Sequence, residues 1–194
     1  MRNSFIKEEY LRHCQGKDMT IFSHAIASML GYTVLFKSGK ASSLQQVKVS
    51  SLFLLMLFGA LPDLPLTFLV ITGSYDPHRH FHHTWITHTP IFWIVIALGV
   101  AYFSREVAHK LLFGTWLHLA MDWYGGGDGI MFLYPLSTHQ YGVLLSGVHG
   151  KEGLKIYFSH WYFLAFEIFL WTAGLFFLFW QYCSFFKQST FKEQ

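Results

Sequence analysis

Residues 161–180 read WYFLAFEIFLWTAGLFFLFW, a run in which Glu167 is the only charged side chain. A helix needs about 20 apolar residues to cross the hydrocarbon core of a bilayer. Aromatic Trp and Tyr side chains occupy the two ends of the run, and both favour the interface between membrane and water. The segment therefore predicts a transmembrane helix.

The composition of the whole chain agrees with a membrane protein. Of its 194 residues, 53% are hydrophobic and 13% are charged, which lies outside the usual balance of a soluble domain. The net charge is +3 without a long basic run, so nucleic acid is not an expected partner. Two cysteines exclude a disulfide framework and a cysteine-rich zinc module.

Four further apolar runs precede this segment, and they lie at 19–36, 52–72, 85–103 and 111–123. The second run is broken by Pro62 and Pro65, which should end or kink a helix there. The fourth run is short and carries His118 and Asp122, so it must face a bundle interior or a water-filled cleft. We therefore predict an all-α fold, a polytopic membrane bundle of about four or five transmembrane helices.

The chain shows no internal repeat and no second domain. A polar segment occupies 1–18, a single integral-membrane domain is predicted at 19–186, and a polar tail follows at 187–194. Within the domain, 105–110 is predicted to be a charged connector, and the glycine-rich 125–155 a long loop folded back onto the membrane face. Lys and Arg divide evenly between the two sides, so the positive-inside rule assigns no orientation.

Polar side chains lie in or beside four of the apolar runs, and alternate crossings of the bilayer would bring them to one side. His118 and Asp122 are four positions apart and therefore share a helix face. His83 lies just before the third run, and His88 lies near its start. We predict a metal site at one membrane face, with the ligands His24, Asp63, His83, His88, His118 and Asp122.

Imidazole and carboxylate groups are typical zinc ligands. Three imidazoles and a carboxylate complete one site, whereas four imidazoles and two carboxylates could hold two ions, with one carboxylate bridging. The expected cofactor is a divalent metal, Zn²⁺ or a similar ion, at one or two positions. Such an ion makes a bound water molecule acidic enough to act as a nucleophile near neutral pH.

The remaining histidines and Glu167 are less informative. His160 and Glu167 are seven positions apart on one face of the last helix, where a structural interior role is favoured over metal binding. Four others are expected in surface loops, and His139 is the main candidate for an exception because it lies in the loop after the predicted site: His13, His109, His139 and His149.

The order of these motifs resembles that of the YdjM-type family of membrane-bound metal-dependent hydrolases. The likeness runs from about His24 to Tyr141. It rests on His24, Leu61-Pro62-Asp63, His83-Thr84-Trp85-Ile86-Thr87-His88, His118-Leu119-Ala120-Met121-Asp122 with the Gly125 to Gly129 turn, and Leu133-Tyr134-Pro135. The resemblance implies a metal-dependent hydrolase that spans a bacterial or archaeal inner membrane several times.

A wider similarity links the pattern to zinc-dependent phospholipases C and zinc nucleases, which are helical enzymes with His-x-x-x-Asp/Glu ligand pairs. That similarity implies a phosphoester substrate. A site at a membrane face implies that the phosphate belongs to a lipid or a lipid-linked group. The expected surroundings are therefore the lipid bilayer and such a substrate, while the oligomeric state stays open.

Two positions depart from the family pattern. The family commonly has a second Asp two residues after Asp63, where this chain has Pro65, and the number of ions therefore stays open. The Arg that usually follows the first His of the third motif is Thr84 here, so the cation for substrate phosphate is expected at Arg79. The predicted catalytic residues are Asp63 and Arg79, with Arg79 stabilising charge in the transition state.

Two other functions fit part of the pattern. Residues 78–83 contain a His-x-x-x-His-His box similar to those of membrane fatty-acid desaturases, which bind two irons, but two of the six candidate ligands here are Asp. Intramembrane His and Asp are also expected in a metal or proton transporter. Transport requires polar groups through the full bilayer depth, whereas these gather at one side. A hydrolase is therefore the favoured interpretation.

Overall fold

The computed structural model of this chain describes residues 19–37, 48–76, 82–125, 129–143 and 159–191. Outside short turns and the loop at 129–143, these residues are mainly α-helical, and none of them forms a β-strand. The predicted all-α class is confirmed.

Six α-helices occupy the described part of the chain: α1 (Met19–Lys37), α2 (Val49–Ala60), α3 (Leu64–Ile71), α4 (Pro90–Phe103), α5 (Arg105–Gly125) and α6 (Trp161–Phe191). Helices α2 and α3 are separated by a single 3-10 turn, Leu61–Asp63, and together form one long apolar element. Helix α6 continues past 186 into the segment predicted as a polar tail.

Two stretches are long and apolar enough to cross a membrane, Val49–Ile71 and Trp161–Ser184. In their most apolar parts, 33% and 22% of the residues respectively are buried, so most side chains face outward, where lipid would cover them. Two shorter apolar helices cover Ile21–Phe36 and Pro90–Phe103. The number of crossings stays a prediction.

The Leu-Pro-Asp motif interrupts the second apolar run as predicted. Helix α2 ends at Ala60, and the turn that follows buries Pro62 and Asp63. Pro65 lies in the first turn of α3, where the missing backbone N–H removes no helical hydrogen bond. The break therefore places a buried carboxylate, that of Asp63, in the middle of a long apolar element.

Helix α4, which corresponds to the third apolar run, begins later than the sequence predicted. It starts at Pro90 instead of residue 85, and the preceding residue, Thr89, has extended backbone with φ −115° and ψ 131°. Proline disfavours the helical conformation in the residue before it, which explains this start. Two 3-10 turns, His82–Thr84 and Ile86–His88, occupy the segment before the helix.

The prediction of a connector at 105–110 is wrong, because these residues form the first turns of α5. Lys110 is buried there, and its ammonium donates to Glu106 at 2.6 Å and to Ser51 of α2 at 2.9 Å. This pairing lets a lysine lie inside the bundle. His109 was also expected in a loop, but it lies on α5, exposed, with Nδ1 3.2 Å from the Tyr32 hydroxyl.

Close contacts at two glycines bring α1, α2 and α5 together. A Cβ atom on Gly59 of α2 would lie 2.4 Å from Ser28 Oγ and 2.6 Å from the main-chain oxygen of His24, both on α1. A Cβ atom on Gly114 of α5 would lie 2.8 Å from Cβ of Phe58. Helix α2 therefore lies tightly between its two neighbours, immediately before the Leu-Pro-Asp turn.

The described part of the predicted long loop, residues 129–143, packs against the bundle, and its place at the membrane face stays a prediction. Ile130 and Tyr141 exchange two backbone hydrogen bonds of 2.9 Å. The Ile130 side chain is fully buried in the largest apolar cluster, and Val143 N donates to Trp123 O at 3.0 Å. The rest of 125–155, apart from Gly125, lies outside the described residues.

Candidate metal centre

The six predicted metal ligands are all buried and form one cluster, called here the His/Asp cluster. They come from five separate elements: His24 from α1, Asp63 from the turn after α2, His83 and His88 from the two turns before α4, and His118 and Asp122 from α5. The side chains of His88 and His118 are fully buried. The structure thus brings together residues that are almost 100 positions apart in the chain.

Asp122 lies at the centre of the cluster. Its Oδ2 atom is 3.0 Å from Nε2 of His118 and 3.5 Å from Nε2 of His88. Nε2 of His83 is 3.8 Å from the same oxygen, and Nε2 of His24 is 3.2 Å from Oδ1. One carboxylate therefore faces four imidazoles, an arrangement that suits a ligand bridging two ions.

Asp63 approaches the same imidazoles from the turn after α2. Its Oδ1 atom is 3.3 Å from Nε2 of His88, and its Oδ2 atom is 3.8 Å from Nε2 of His118. The hydroxyl of Thr67 donates to the Asp63 main-chain oxygen at 3.1 Å, one turn into α3. The turn and the start of α3 therefore fix the backbone that carries this carboxylate.

The ligand atoms divide into two triads, and within each triad they lie within 4.8 Å of one another. The triads are His24 with Asp63 and His118, and His83 with His88 and Asp122. With zinc bonds of about 2.0–2.1 Å, the ligand atoms of a tetrahedral site lie about 3.3 Å apart. The distances of 3.5 Å from His88 to Asp122 and 3.8 Å from His118 to Asp63 are close to that spacing. Each triad could hold one ion.

Some polar atoms at the centre of the His/Asp cluster lack hydrogen-bond partners among the described residues. Nε2 of His118 and Oδ2 of Asp122 are buried and, among the described residues, make no hydrogen bond of good geometry although they lie 3.0 Å apart. Burying polar atoms in this way costs free energy. A divalent cation would accept both atoms as ligands, and the donor set of imidazole nitrogens and carboxylate oxygens suits zinc.

His118 is oriented by the main chain of α2. Its Nδ1 atom lies 2.7 Å from the Gly59 carbonyl oxygen. Because a carbonyl can only accept, Nδ1 is the donor, and in the neutral ring Nε2 presents its lone pair to the cluster. Metal-binding histidines typically make such a contact. The ring of His24 stacks on that of His118, with centroids 3.9 Å apart.

His88 is held by the turns before α4. Thr87 Oγ1 lies 3.3 Å from His88 Nδ1, and Nε1 of Trp93 donates to the Thr87 main-chain oxygen at 2.7 Å. The ring of His88 is fully buried, with Nε2 3.3 Å from Oδ1 of Asp63 and 3.5 Å from Oδ2 of Asp122. These contacts fix the orientation of the ring, with Nε2 facing both carboxylates.

Other candidates from the sequence do not join the cluster or cannot be placed. His139 is exposed and contacts the Tyr141 ring, and His160 packs against the rings of Tyr162 and Phe163. Three residues lie outside the described part of the chain: Arg79, His13 and His149. The phosphate-binding role of Arg79 therefore stays a prediction.

Two supporting contacts were missed by sequence reasoning. One is the Gly59 carbonyl beside His118, for which the small pair Gly59-Ala60 before the Leu-Pro-Asp motif is a signal of close helix approach. The other is Glu167, which is buried and accepts a hydrogen bond from Ser23, the neighbour of His24 in the chain. A single carboxylate within a long apolar helix was the signal in that case.

This fold and site define a class of protein: an all-helical membrane protein with buried His and Asp groups that could hold a metal ion. The family model described as YdjM inner membrane protein matches residues 19–190, and the chain belongs to this family. The family predicted from the order of the motifs is confirmed, and with it a membrane location. No curated protein and no solved structure matches the chain.

Proposed function

We propose that this protein is an integral-membrane, metal-dependent hydrolase that cleaves a phosphoester of a lipid or lipid-linked substrate. The observation that carries the proposal is the gathering of four imidazoles and two carboxylates in one buried cluster. Ionisable groups inside a membrane protein are costly and are retained mainly where they serve a function. Six of them at one place, from five elements, exceed what a polar contact between helices requires.

Two divalent ions, most simply zinc, fit the ligand set. Each triad supplies three ligand atoms, and Asp122 lies within 3.8 Å of imidazoles from both triads. Three protein ligands leave a coordination position open, as in catalytic zinc sites. When bound, such ions supply Lewis acidity toward a phosphoryl oxygen and a water molecule acidic enough to attack it.

The chain itself supplies orientation and a dry environment. The Gly59 carbonyl fixes the ring of His118, and Asp63 is fixed by the turn after α2. The bundle excludes bulk water from His88 and His118, which strengthens electrostatic interactions at the cluster. Arg79, four residues before His83, is proposed to hold the outer phosphate oxygens by paired hydrogen bonds.

The position of the cluster supports a lipid-linked substrate. His24 lies five residues after the start of α1, Asp63 eight residues before the end of α3, and Asp122 three before the end of α5. At about 1.5 Å of rise per residue, these candidate ligands lie within about 12 Å of those helix ends, and alternate crossings of the bilayer would bring the three ends to one side. A phosphate carried at the surface of the bilayer could therefore approach the cluster from that side.

The direct experiment uses purified protein in lipid micelles. We expect zinc in elemental analysis and hydrolysis of a phosphomonoester or phosphodiester lipid, lost on treatment with a chelator and restored by added divalent metal. His118→Ala should lower the metal content and abolish hydrolysis, whereas His139→Ala, at an exposed histidine outside the cluster, should leave both intact. Bound iron with oxygen-dependent turnover and no hydrolysis would instead favour the desaturase-like alternative.

A further inference from the structure

Glu167 is the only charged residue at 161–180, yet it is 3% exposed. It lies on the face of α6 that packs on α1, together with Leu170, Trp171 and Gly174 at helical spacing. A carboxylate in an apolar helix costs free energy unless its oxygens accept hydrogen bonds or face a charged partner. The hydrogen bond that Glu167 accepts therefore indicates its role in the bundle.

Three side chains form a directional hydrogen-bonded chain, called here the Ser23 chain (Trp171, Ser23 and Glu167). Nε1 of Trp171 donates to Ser23 Oγ at 3.2 Å, and Ser23 Oγ donates to Oε2 of Glu167. An indole nitrogen can only donate, so the Ser23 oxygen accepts from Trp171 and gives its single proton to Glu167. Glu167 acts here as an acceptor at a fixed position.

The Ser23 chain is adjacent to the His/Asp cluster through α1. Ser23 and His24 are consecutive, and consecutive residues project about 100° apart around a helix. Ser23 therefore contacts α6, while His24 stacks on His118 of α5 and lies 3.2 Å from Asp122. Any rotation of α1 about its axis moves both side chains at once.

A close contact one to two turns further along α6 holds the same two helices together. A Cβ atom on Gly174 would lie 2.5 Å from Cγ2 of Ile26, and Leu170 packs with Ile26 and Ala27. Such apolar contacts fix the distance between two helices, but they tolerate small rotations. Hydrogen bonds are directional, so the Ser23 chain restricts the rotation of α1 as well.

We infer that Glu167 is a positioning residue, which through Ser23 sets the rotation of α1 and thereby holds His24 in place for metal binding. This inference rests on the metal site of the proposed function. Glu167 does not belong to either ligand triad, and its effect passes through the hydroxyl of Ser23. The role requires a hydrogen-bond acceptor at position 167.

The test measures zinc affinity of the purified full-length protein by competition with a chelator. Glu167→Leu should weaken affinity by about tenfold or more, the range for residues that support metal ligands. Glu167→Gln should stay within a few-fold of wild type, because the amide oxygen still accepts from Ser23. Phe166→Leu, at an exposed neighbour on α6, is the matched control and should have no effect.

A double-mutant cycle with His24→Ala separates positioning from general destabilisation. If Glu167 acts through His24, Glu167→Leu should cause little further loss of affinity in the His24→Ala protein. Additive losses would overturn the inference, and so would a Glu167→Gln protein as weak as Glu167→Leu. If Glu167→Leu does not accumulate in the membrane, Ser23→Ala replaces it in the cycle with the same expectations.

The outcomes also distinguish this inference from the proposed function. A wild-type protein that binds no zinc or other divalent metal would remove the basis of both. A wild-type protein that binds zinc tightly, with unchanged affinity in Glu167→Leu and Ser23→Ala, would overturn the role of Glu167 and leave the metal site standing.

Discussion

The Gly59 carbonyl oxygen lies 2.7 Å from Nδ1 of His118, and this contact joins the packing of the helices to the orientation of a candidate metal ligand. Gly59 is also the residue at which α2 approaches α1 most closely among the glycine contacts described for these helices. One residue therefore sets both the separation of two helices and the tautomer of a third helix's histidine. A change at Gly59 should disturb both.

Gly59→Ala should destabilise the protein and weaken metal binding. The new Cβ atom would lie 2.6 Å from the main-chain oxygen of His24, which cannot move without shifting α1. Overpacking of this kind costs about 1–3 kcal/mol. Thermal unfolding in detergent and chelator competition would measure the two effects.

Gly99→Ala is the matched control for that substitution. Gly99 lies within α4, and a Cβ atom there would meet no atom within 4 Å. Alanine is favoured over glycine in a helix by about 0.5–1 kcal/mol, so this variant should be as stable as wild type or slightly more stable. Equal unfolding temperatures for the two alanine variants would contradict the close contact at Gly59.

Removal of a central ligand should strip the metal without unfolding the helices. Asp122→Asn keeps the size of the side chain but removes the charge that faces four imidazoles. We expect metal content measured by elemental analysis to fall by at least half, with unchanged helical content by circular dichroism. Wild-type metal content in this variant would show that Asp122 is a structural polar residue only.

The two triads predict a stoichiometry of two ions per chain. His83→Ala alters one triad and His24→Ala the other, so each variant should retain about one ion if the sites fill independently. Metal content per chain, measured against protein concentration from amino-acid analysis, decides the question. One ion in the wild-type protein would favour a single site assembled from both triads.

The gathering of the His/Asp cluster was predictable in part because the spacing of its residues along the chain determines which helix face they occupy. The four-residue separation of His118 and Asp122 places both on one face of α5, and the Leu-Pro-Asp motif forms the expected break that buries Asp63. The start of α5 at Arg105 was not predictable from hydropathy, because Lys110 is buried only through its partners Glu106 and Ser51.

The supporting contacts depend on tertiary packing and are harder to predict from the sequence. The Gly59 carbonyl is a main-chain group, so no side-chain type indicates its role, and the approach of Gly114 to α2 is visible only after the helices are assembled. Glu167 stood out as a charge in an apolar run, but its partner Ser23 is 144 positions away. Such pairings cannot be inferred from periodicity within one helix.

Arg79 offers a way to separate substrate binding from metal binding. It is the only Arg or Lys between Lys48 and Arg105, and it precedes His83 by four residues. A phosphate that approaches two metal ions still carries charge on its outer oxygens, and a guanidinium binds those oxygens by paired hydrogen bonds that strengthen as charge develops. Arg79 itself is not among the six candidate metal ligands.

Arg79→Ala should therefore keep the full metal content yet lower turnover of a phosphoester lipid by roughly 10²-fold or more, as for the loss of one electrostatic donor. Arg105→Ala, at the exposed start of α5 and about 20 Å of helix from His118, is the control and should turn over at the wild-type rate. Arg79→Lys should recover only part of the activity, because an ammonium cannot form the paired hydrogen bonds of a guanidinium. Turnover of Arg79→Ala within a few-fold of wild type would place this side chain in solvent or among lipid headgroups, and the phosphate would then be bound by other groups.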